Sequence, residues 1–452
     1  MKICFIPIDN RPVCYDLPKK IVAINDEIEI FLPPIEYLGD LKNIANTNAL
    51  INWLEDLPNF DIAIVALDTI AYGGLIPSRR SKDSTDEILN RLYKFKNILS
   101  SKKVKVFAFS SIMRISNNNY NEEEKEYWSQ YGKKIFDYSY HTHKNGGKYG
   151  FESCIAKLIP DEILDDYLGT RRRNFEINKT YLEWEKEGFF ETLIFSKDDC
   201  AEFGFNVMEA IELENLGATT KTGADEIPLT LLSRAIKNDK NKVFTIYTEP
   251  SYKDKISNYE DISIEKSVNG QLELGGFKIV DIKEDADIIL LINNFIEKQG
   301  EHVMGWDTTP FYKELQTPTT PYAVADVRFA NGADNNFIEK LLPQINLENF
   351  YGYSAWNTSA NTLGSLIACM KVYMSAEKIN QNAFKNLQLI RFLDDWAYQA
   401  NVRKLINKPS EIKYLMQDFE HKIFKVLNIS NCDINYSFPW DRTFEIRIKV
   451  ND

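Results

Sequence analysis

Two adjacent carboxylates, Asp198-Asp199, close the apolar run Ile194-Phe195-Ser196-Lys197 and are the sharpest chemical feature of the chain. Carboxylates this close suppress each other's ionisation, so one can keep a proton near neutral pH and serve as a general acid. The same pair could instead cap the helical segment expected around Ala201–Leu216. Other apolar runs also stop at groups that can bind or transfer protons. One ends in Asp9-Asn10-Arg11-Pro12, another in Asp68 followed by Tyr72-Gly73-Gly74, and a third in Arg114. Later runs end in Glu249, in Asn293-Asn294, in Asp326 with Arg328, Asn331 and Asp334, and in Trp356-Asn357-Thr358 with Asn361. Any one of these is explained by helix capping. Their convergence would make a functional face, with Trp356, Tyr72, Asn357 and Asn361 able to hold a sugar and Gly73-Gly74 letting backbone approach a ligand. Arg11, Arg114 and Arg328 could grip a carboxylate or phosphate with two parallel bonds, or pair with Asp9, Asp68 and Asp326. Glu226, beside Asp225 at the start of a helix, is either a cap or a site residue.

Other chemistries lack material. Of four histidines, His141, His143, His302 and His421, only the first two are close in sequence, and both read as loop residues. A three-histidine zinc site would need widely separated ligands, so no metal is expected. The six cysteines are scattered without CxxC spacing, the usage of a reducing compartment. No GxGxxG or GxxxxGK[ST] follows any apolar run, so no nucleotide is expected and no cofactor is proposed. Lys plus Arg number 54 against 66 Asp plus Glu, a net charge of −12. That surface repels phosphate backbones and anionic membranes. No apolar run reaches the roughly 20 residues of a membrane helix, and no secretory leader pattern precedes Lys2. The expectation is a cytoplasmic protein acting on a small molecule or oligosaccharide.

The elements that must position these residues recur along the chain. Short apolar, β-branched runs cover Lys2–Asp9, Asp61–Asp68, Val104–Arg114, Leu193–Asp199, Val243–Glu249, Ile288–Asn294, Tyr322–Asp326 and Phe350–Asn357. Nearly continuous hydrophobicity marks strands buried on both faces. Helical segments such as Ser84–Asn97 and Asp225–Lys237 follow most of them, which predicts a parallel α/β sheet. Although 452 residues suggest about three domains at roughly 150 each, eight strands make a (β/α)8 TIM-like barrel over residues 1–375 the economical closure, since such barrels can exceed 400 residues. An open doubly wound sheet is the alternative, with an extra strand at Glu27–Leu32. Charged helical segments Asn121–Phe136 and Pro160–Gly188 read as an elaboration over about 115–190, the run Glu122–Glu126 as a solvated helix face, and residues 144–148 as a turn. Residues 376–452 read as a mostly helical C-terminal region, with helices at Asn382–Asn407 and Ser410–Leu427 and a final strand at Phe438–Val450. In a parallel barrel the strand ends, among them Asp9, Arg11, Asp68, Arg114, Asp326, Arg328 and Asn357, would line one pocket at the C-terminal face.

Two resemblances add to this reading. Asp9-Asn10-Arg11-Pro12, Leu67-Asp68 with Tyr72-Gly73-Gly74-Leu75, Gly223-Ala224-Asp225-Glu226, Ala325-Asp326-Val327-Arg328 with Asn331-Gly332-Ala333-Asp334, and Trp356-Asn357-Thr358 with Asn361-Thr362-Leu363-Gly364 resemble the blocks of an uncharacterised bacterial family, domain of unknown function 4127. Pro439-Trp440-Asp441-Arg442 fits it too. That family brings no activity. Separately, an apolar run ending in Asp198-Asp199 is similar to the O-GlcNAcase-type retaining N-acetylglucosaminidases, which are barrels. The resemblance implies a glycoside hydrolase in which the substrate's own 2-acetamido oxygen attacks the anomeric carbon. Asp198 would hold the acetamido N–H, and Asp199 would protonate the leaving oxygen and then activate water. The competing expectations are a Mg²⁺- or Mn²⁺-dependent lyase, aldolase or phosphosugar enzyme with carboxylate ligands, and a non-catalytic sugar- or metabolite-binding protein.

Overall fold

The computed structural model describes residues 1–150, 153–198, 201–430 and 432–451. The chain divides into two compact units. The first comprises residues 1–10 and 30–228, the second residues 11–29 and 229–452.

In the first unit, strands β1 (Lys2–Ile6), β2 (Glu29–Phe31), β3 (Ile62–Ala66), β4 (Lys105–Ile112), β5 (Thr192–Lys197) and β6 (Thr220–Thr222) form a six-stranded sheet in the order β2-β1-β3-β4-β5-β6. Its central pairings are parallel, with Ile6 opposite Val65, Ala66 opposite Phe109, and Ser111 opposite Ser196. All five residues of β3 are buried, as is all of β4 after Lys105. These are the unbroken apolar runs of the sequence, covered on both faces.

In the second unit the chain continues through β7 (Lys242–Tyr247), β8 (Lys278–Ile279), β9 (Ile288–Asn293), β10 (Gly300–Glu301), β11 (Tyr322–Asp326), β12 (Phe329–Ala330) and β13 (Phe350–Ser354). Five of these make a parallel sheet in the order β13-β11-β9-β7-β8, while β10 and β12 pair separately. Counted along its own stretch of chain, this sheet also runs second, first, third, fourth, fifth. Both sheets thus share the strand order of doubly wound folds, in which right-handed crossovers place the first connection on one face and the later ones on the other.

The strand positions expected from the sequence are therefore formed, including the extra strand at 29–31, within a mixed α/β fold. Among the described hydrogen bonds, runs one to four lie side by side in the first sheet and runs five to eight in the second. Hydrophobic periodicity reports that a strand is buried, not which strand lies beside it.

Several local expectations need correction. The helix expected from Asn121 begins at Trp128 and runs to Lys144, so His141 and His143 are helical rather than in a loop. The acidic stretch before it is a turn, and Glu124 is buried. The helix expected over 382–407 is α-helical through Arg391 and continues as a π-helix over Phe392–Val402. The tail holds an antiparallel pair, β14 (Asp433–Ser437) with β15 (Arg447–Asn451), in place of one strand over 438–450. In the second unit the helix Ser359–Ser375 covers a core with β9 and β11. No helix among the described residues is long and apolar enough to cross a membrane.

Removing core volume from a central strand should be costly in either sheet. Ile64→Ala and Leu290→Ala should each lower stability by about 2–5 kcal/mol, and Lys278→Ala, exposed at a sheet edge, should stay within about 0.5 kcal/mol. Urea unfolding followed by circular dichroism checks this; equal losses at all three positions would contradict the assigned centres and edge.

Candidate functional site

Every internal strand of the first sheet delivers an ionisable group to its C-terminal edge. Asp9 follows β1, Asp68 follows β3, Arg114 follows β4, Asp198 follows β5, and Glu226 lies four residues past β6. Ile6 and Val65 are register partners, so Asp9 and Asp68 each lie three residues beyond a paired position on neighbouring strands. The two loops are tied together where the Thr69 hydroxyl donates to the Pro7 carbonyl at 2.7 Å. This is the point where the strand order reverses, the place at which open α/β sheets bind ligands.

Asp68 is the most perturbed carboxyl on this edge. It is 1% exposed, and burial raises its pKa from 3.8 to about 7, against the opposing effect of the Ser111 N–H that donates to Oδ2 at 2.8 Å. Its Oδ1 makes no hydrogen bond among the described residues, and neither do the hydroxyls of buried Tyr72 and Tyr181. Tyr72 presents its ring to Arg173, with the guanidinium carbon 5.4 Å from the centroid, so it is a packed side chain rather than an open platform.

Gly73 and Gly74 serve packing. Both have positive φ, 87° and 132°. A Cβ on Gly73 would sit 2.9 Å from the Ala45 nitrogen, and one on Gly74 3.2 Å from the Ile8 carbonyl oxygen. Arg114 does not take Asp68 as its partner. It pairs with Glu123 at 2.8 Å, Glu124 at 3.3 Å and Asp198 at 3.6 Å. Glu124 also holds buried Arg79 at 2.6 Å, so the acidic run read as a solvated face supplies internal counter-charge. Glu226 is buried close under Gly223, where a Cβ would collide with its carboxylate. Asp199 lies outside the described residues.

The second sheet carries its own row. Arg328, 0% exposed, reaches Glu249 at 3.1 Å, Asn293 at 3.1 Å, the Thr309 carbonyl at 2.9 Å and Asp334 at 3.5 Å. Each guanidinium nitrogen is therefore engaged inside the unit. Asp326 accepts from Asn293 at 2.8 Å, the Asp334 N–H at 2.8 Å and the Tyr353 hydroxyl at 3.2 Å. Burial and then the nearby Asp334 raise its pKa. Asn331 and Asn357 both adopt left-handed φ of 58° and are joined by an N–H to carbonyl bond of 2.8 Å. Asn331 also donates to Glu301, while Asn361 sits in the first turn of helix Ser359–Ser375. Arg11 precedes the helix Pro12–Val22, where it lies 3.5 Å from Glu445 and over the Trp440 ring. Trp356 lines a pocket with Arg391, Asp394 and Glu445.

A model described as a protein of unknown function, DUF4127, matches residues 3–449. The chain belongs to this family. No curated protein and no solved structure matches it. The strand-end residues of this DUF4127 chain thus sort by unit. Asp9, Asp68, Tyr72, Gly73, Gly74, Arg114, Asp198 and Glu226 fall in the first, and Arg11, Asn293, Asp326, Arg328, Asn331, Asp334, Trp356, Asn357 and Asn361 in the second. Sequence reasoning left Arg391, Asp394, Asp395 and Glu445 out of the site. The i, i+3, i+4 spacing of the first three was a visible signal for a helical ion-pair cluster.

Two substitutions test this description. Asp68 binds its proton more tightly folded than unfolded, so its contribution is fully present below about pH 4 and is lost as pH rises through about 7. Asp68→Asn should remove up to about 4 kcal/mol of stability decline over that interval, read from urea midpoints at several pH values. Gly73→Ala should cost about 1–3 kcal/mol at any pH, because it adds strain and a backbone clash.

Proposed function

We propose that this protein is a glycoside hydrolase acting on an N-acetylhexosaminide with help from the substrate's own acetamido group. The observation that carries the reading is the strand-end row of the first sheet, in which Asp198 follows β5 with its carboxylate 3.6 Å from Arg114, while Asp9 and Asp68 follow β1 and β3 on the same edge. A carboxylate steadied by a guanidinium is suited to accept the acetamido N–H and turn that group's oxygen toward the anomeric carbon. As that oxygen bonds to the anomeric carbon, the glycosidic bond breaks and Asp199 gives its proton to the leaving oxygen. Water then attacks the cyclic intermediate, loses a proton to Asp199, and restores the sugar with retained configuration. Asp68, a carboxyl able to hold a proton near pH 7, would donate to a sugar oxygen. The mechanism does not need a barrel. We read each sheet as an open doubly wound layer, whose binding edge lies beyond the carboxyl ends of its strands.

The same oxygen-rich edge supports a second reading, in which Asp9 and Asp225, whose carboxylate oxygens lie within 4.8 Å of each other, hold a divalent cation for a lyase or phosphosugar reaction. Aryl glycosides with and without the 2-acetamido group, assayed in chelator and in added Mg²⁺, separate the two. We expect turnover only of the 2-acetamido sugar, with no metal requirement. Because general acid–base catalysis contributes typically about 10²–10⁴-fold, Asp199→Asn should slow poor leaving groups by that order and activated aryl groups less. Asp198→Asn should slow both. Equal turnover of both sugars excludes substrate assistance, activity only with metal favours the second reading, and saturable binding without turnover favours a binding protein.

A further inference from the structure

The helix Phe205–Asn215 in the first unit has no cap of its own. Gly204 stands at its N-cap and offers no side chain to the first backbone N–H groups, which a helix must satisfy from elsewhere. The neighbouring helix Trp128–Lys144 supplies the acceptors. The Phe205 N–H donates to the Ser139 hydroxyl oxygen at 2.7 Å, and the Gly204 N–H donates to Nδ1 of His143 at 3.1 Å. Ser139 and His143 are an i, i+4 pair on one face of their helix, so two successive donors meet two acceptors one turn apart.

Rings close around the same joint. Phe203 meets Tyr140 at 5.5 Å and His143 at 5.4 Å between centroids, both edge-on. Phe205 meets Tyr138 at 5.5 Å and Tyr149 at 4.9 Å. The joint matters because of what leads into it. Between the end of β5 and Gly204 the chain carries Asp198 and Asp199, so holding Phe203 and Gly204 fixes the far end of that connection.

One of the two acceptors titrates. A hydroxyl oxygen accepts at any pH, whereas an imidazole accepts at Nδ1 only while it is neutral with its proton on Nε2. Once protonated, both ring nitrogens are donors, and Nδ1–H would face the Gly204 N–H. Half-buried His143 leans toward the neutral form, because burial lowers its pKa from 6.5. Charged groups on the surrounding elements are spoken for or exposed. On its own helix His141 is exposed, and Lys144 sets its ammonium over the Tyr140 and Phe203 rings at 5.6 and 5.8 Å. Glu202 ahead of Phe203 and Lys157 in the turn Ala156–Leu158 are exposed, while Glu209 of the capped helix is held by Arg171 at 2.6 Å. His143 forms no ion pair with any of them among the described residues.

We infer that His143 is a positioning residue for the Asp198-Asp199 connection, holding its far end at Gly204 while neutral and releasing it when protonated. The effect on catalysis rests on the hydrolase reading; the hold on Gly204 does not. Because the folded state resists protonation, the joint is at full strength above about pH 6.5 and weakens as pH falls through the folded-state pKa of His143.

Hydrogen exchange at the Gly204 amide of the full chain, compared with the Ile64 amide inside β3 from about pH 8 to about pH 5, reads the joint directly. Protection at Gly204 relative to Ile64 should fall below about pH 6.5 by up to about ten-fold per pH unit, then level off once the folded form is protonated too. His143→Asn, whose Oδ1 can stand in for Nδ1 and accepts at any pH, should keep the protection and remove its pH dependence. His143→Leu should lose it throughout. In parallel, turnover of the 2-acetamido aryl glycoside should fall on the acid side in step with wild-type exchange, and His143→Asn should recover it at about pH 5. Flat exchange at Gly204 over this range, exchange in His143→Asn that follows pH as in the wild type, or an acid limb of turnover that His143→Asn leaves unchanged would each overturn the assignment. A pH-responsive Gly204 amide with no turnover at any pH counts against the hydrolase reading and supports the hold by His143. Where His143→Leu does not fold, the wild type and His143→Asn decide.

Discussion

A parallel strand buried on both faces has room for polar side chains only where it leaves the sheet, and that constraint orders the chemistry of this chain. Within β3 and β9 every side chain is covered, so an ionisable group inside the run would lose its hydration with nothing to replace it. Charge is pushed to the first residues past the strand, where helix starts and neighbouring loops offer N–H groups. Because the strands are parallel, those positions share one edge of each sheet. The row Asp9, Asp68, Arg114, Asp198 and the row Glu249, Asn293, Asp326 with Trp356 are both products of this rule.

What differs between the two rows is how far the charge is compensated. In the second unit Arg328 commits each of its nitrogens, and Asp326 accepts from an amide, a backbone N–H and a hydroxyl. A network satisfied to that degree holds loops in place, since breaking any bond leaves a buried partner exposed to the full desolvation penalty. In the first unit Asp68 has one oxygen engaged and one without a hydrogen-bond partner among the described residues, where the Tyr72 and Tyr181 hydroxyls also make none. Incomplete satisfaction in a buried group is where binding or proton transfer finds its driving force, because a ligand can supply what the fold leaves out.

The amino-acid sequence alone determined where the eight long apolar strands lie, that they pair in parallel, and that polar groups gather at their ends, because burial on both faces writes itself as an unbroken apolar run and the end of burial as the first charged residue. It also determined the family, through blocks such as Asp9-Asn10-Arg11-Pro12 and Trp356-Asn357-Thr358. Only tertiary structure decided which strands are neighbours, since apolar runs of equal length are interchangeable in pattern and the contacts that choose between them join residues far apart in sequence. The same holds for charge partners. Arg114 finds Glu123, Glu124 and Asp198 rather than Asp68, and Arg11 finds Glu445 from the far end of the chain, because an ion pair is set by distance and desolvation in the folded state, neither of which is written in the order of residues.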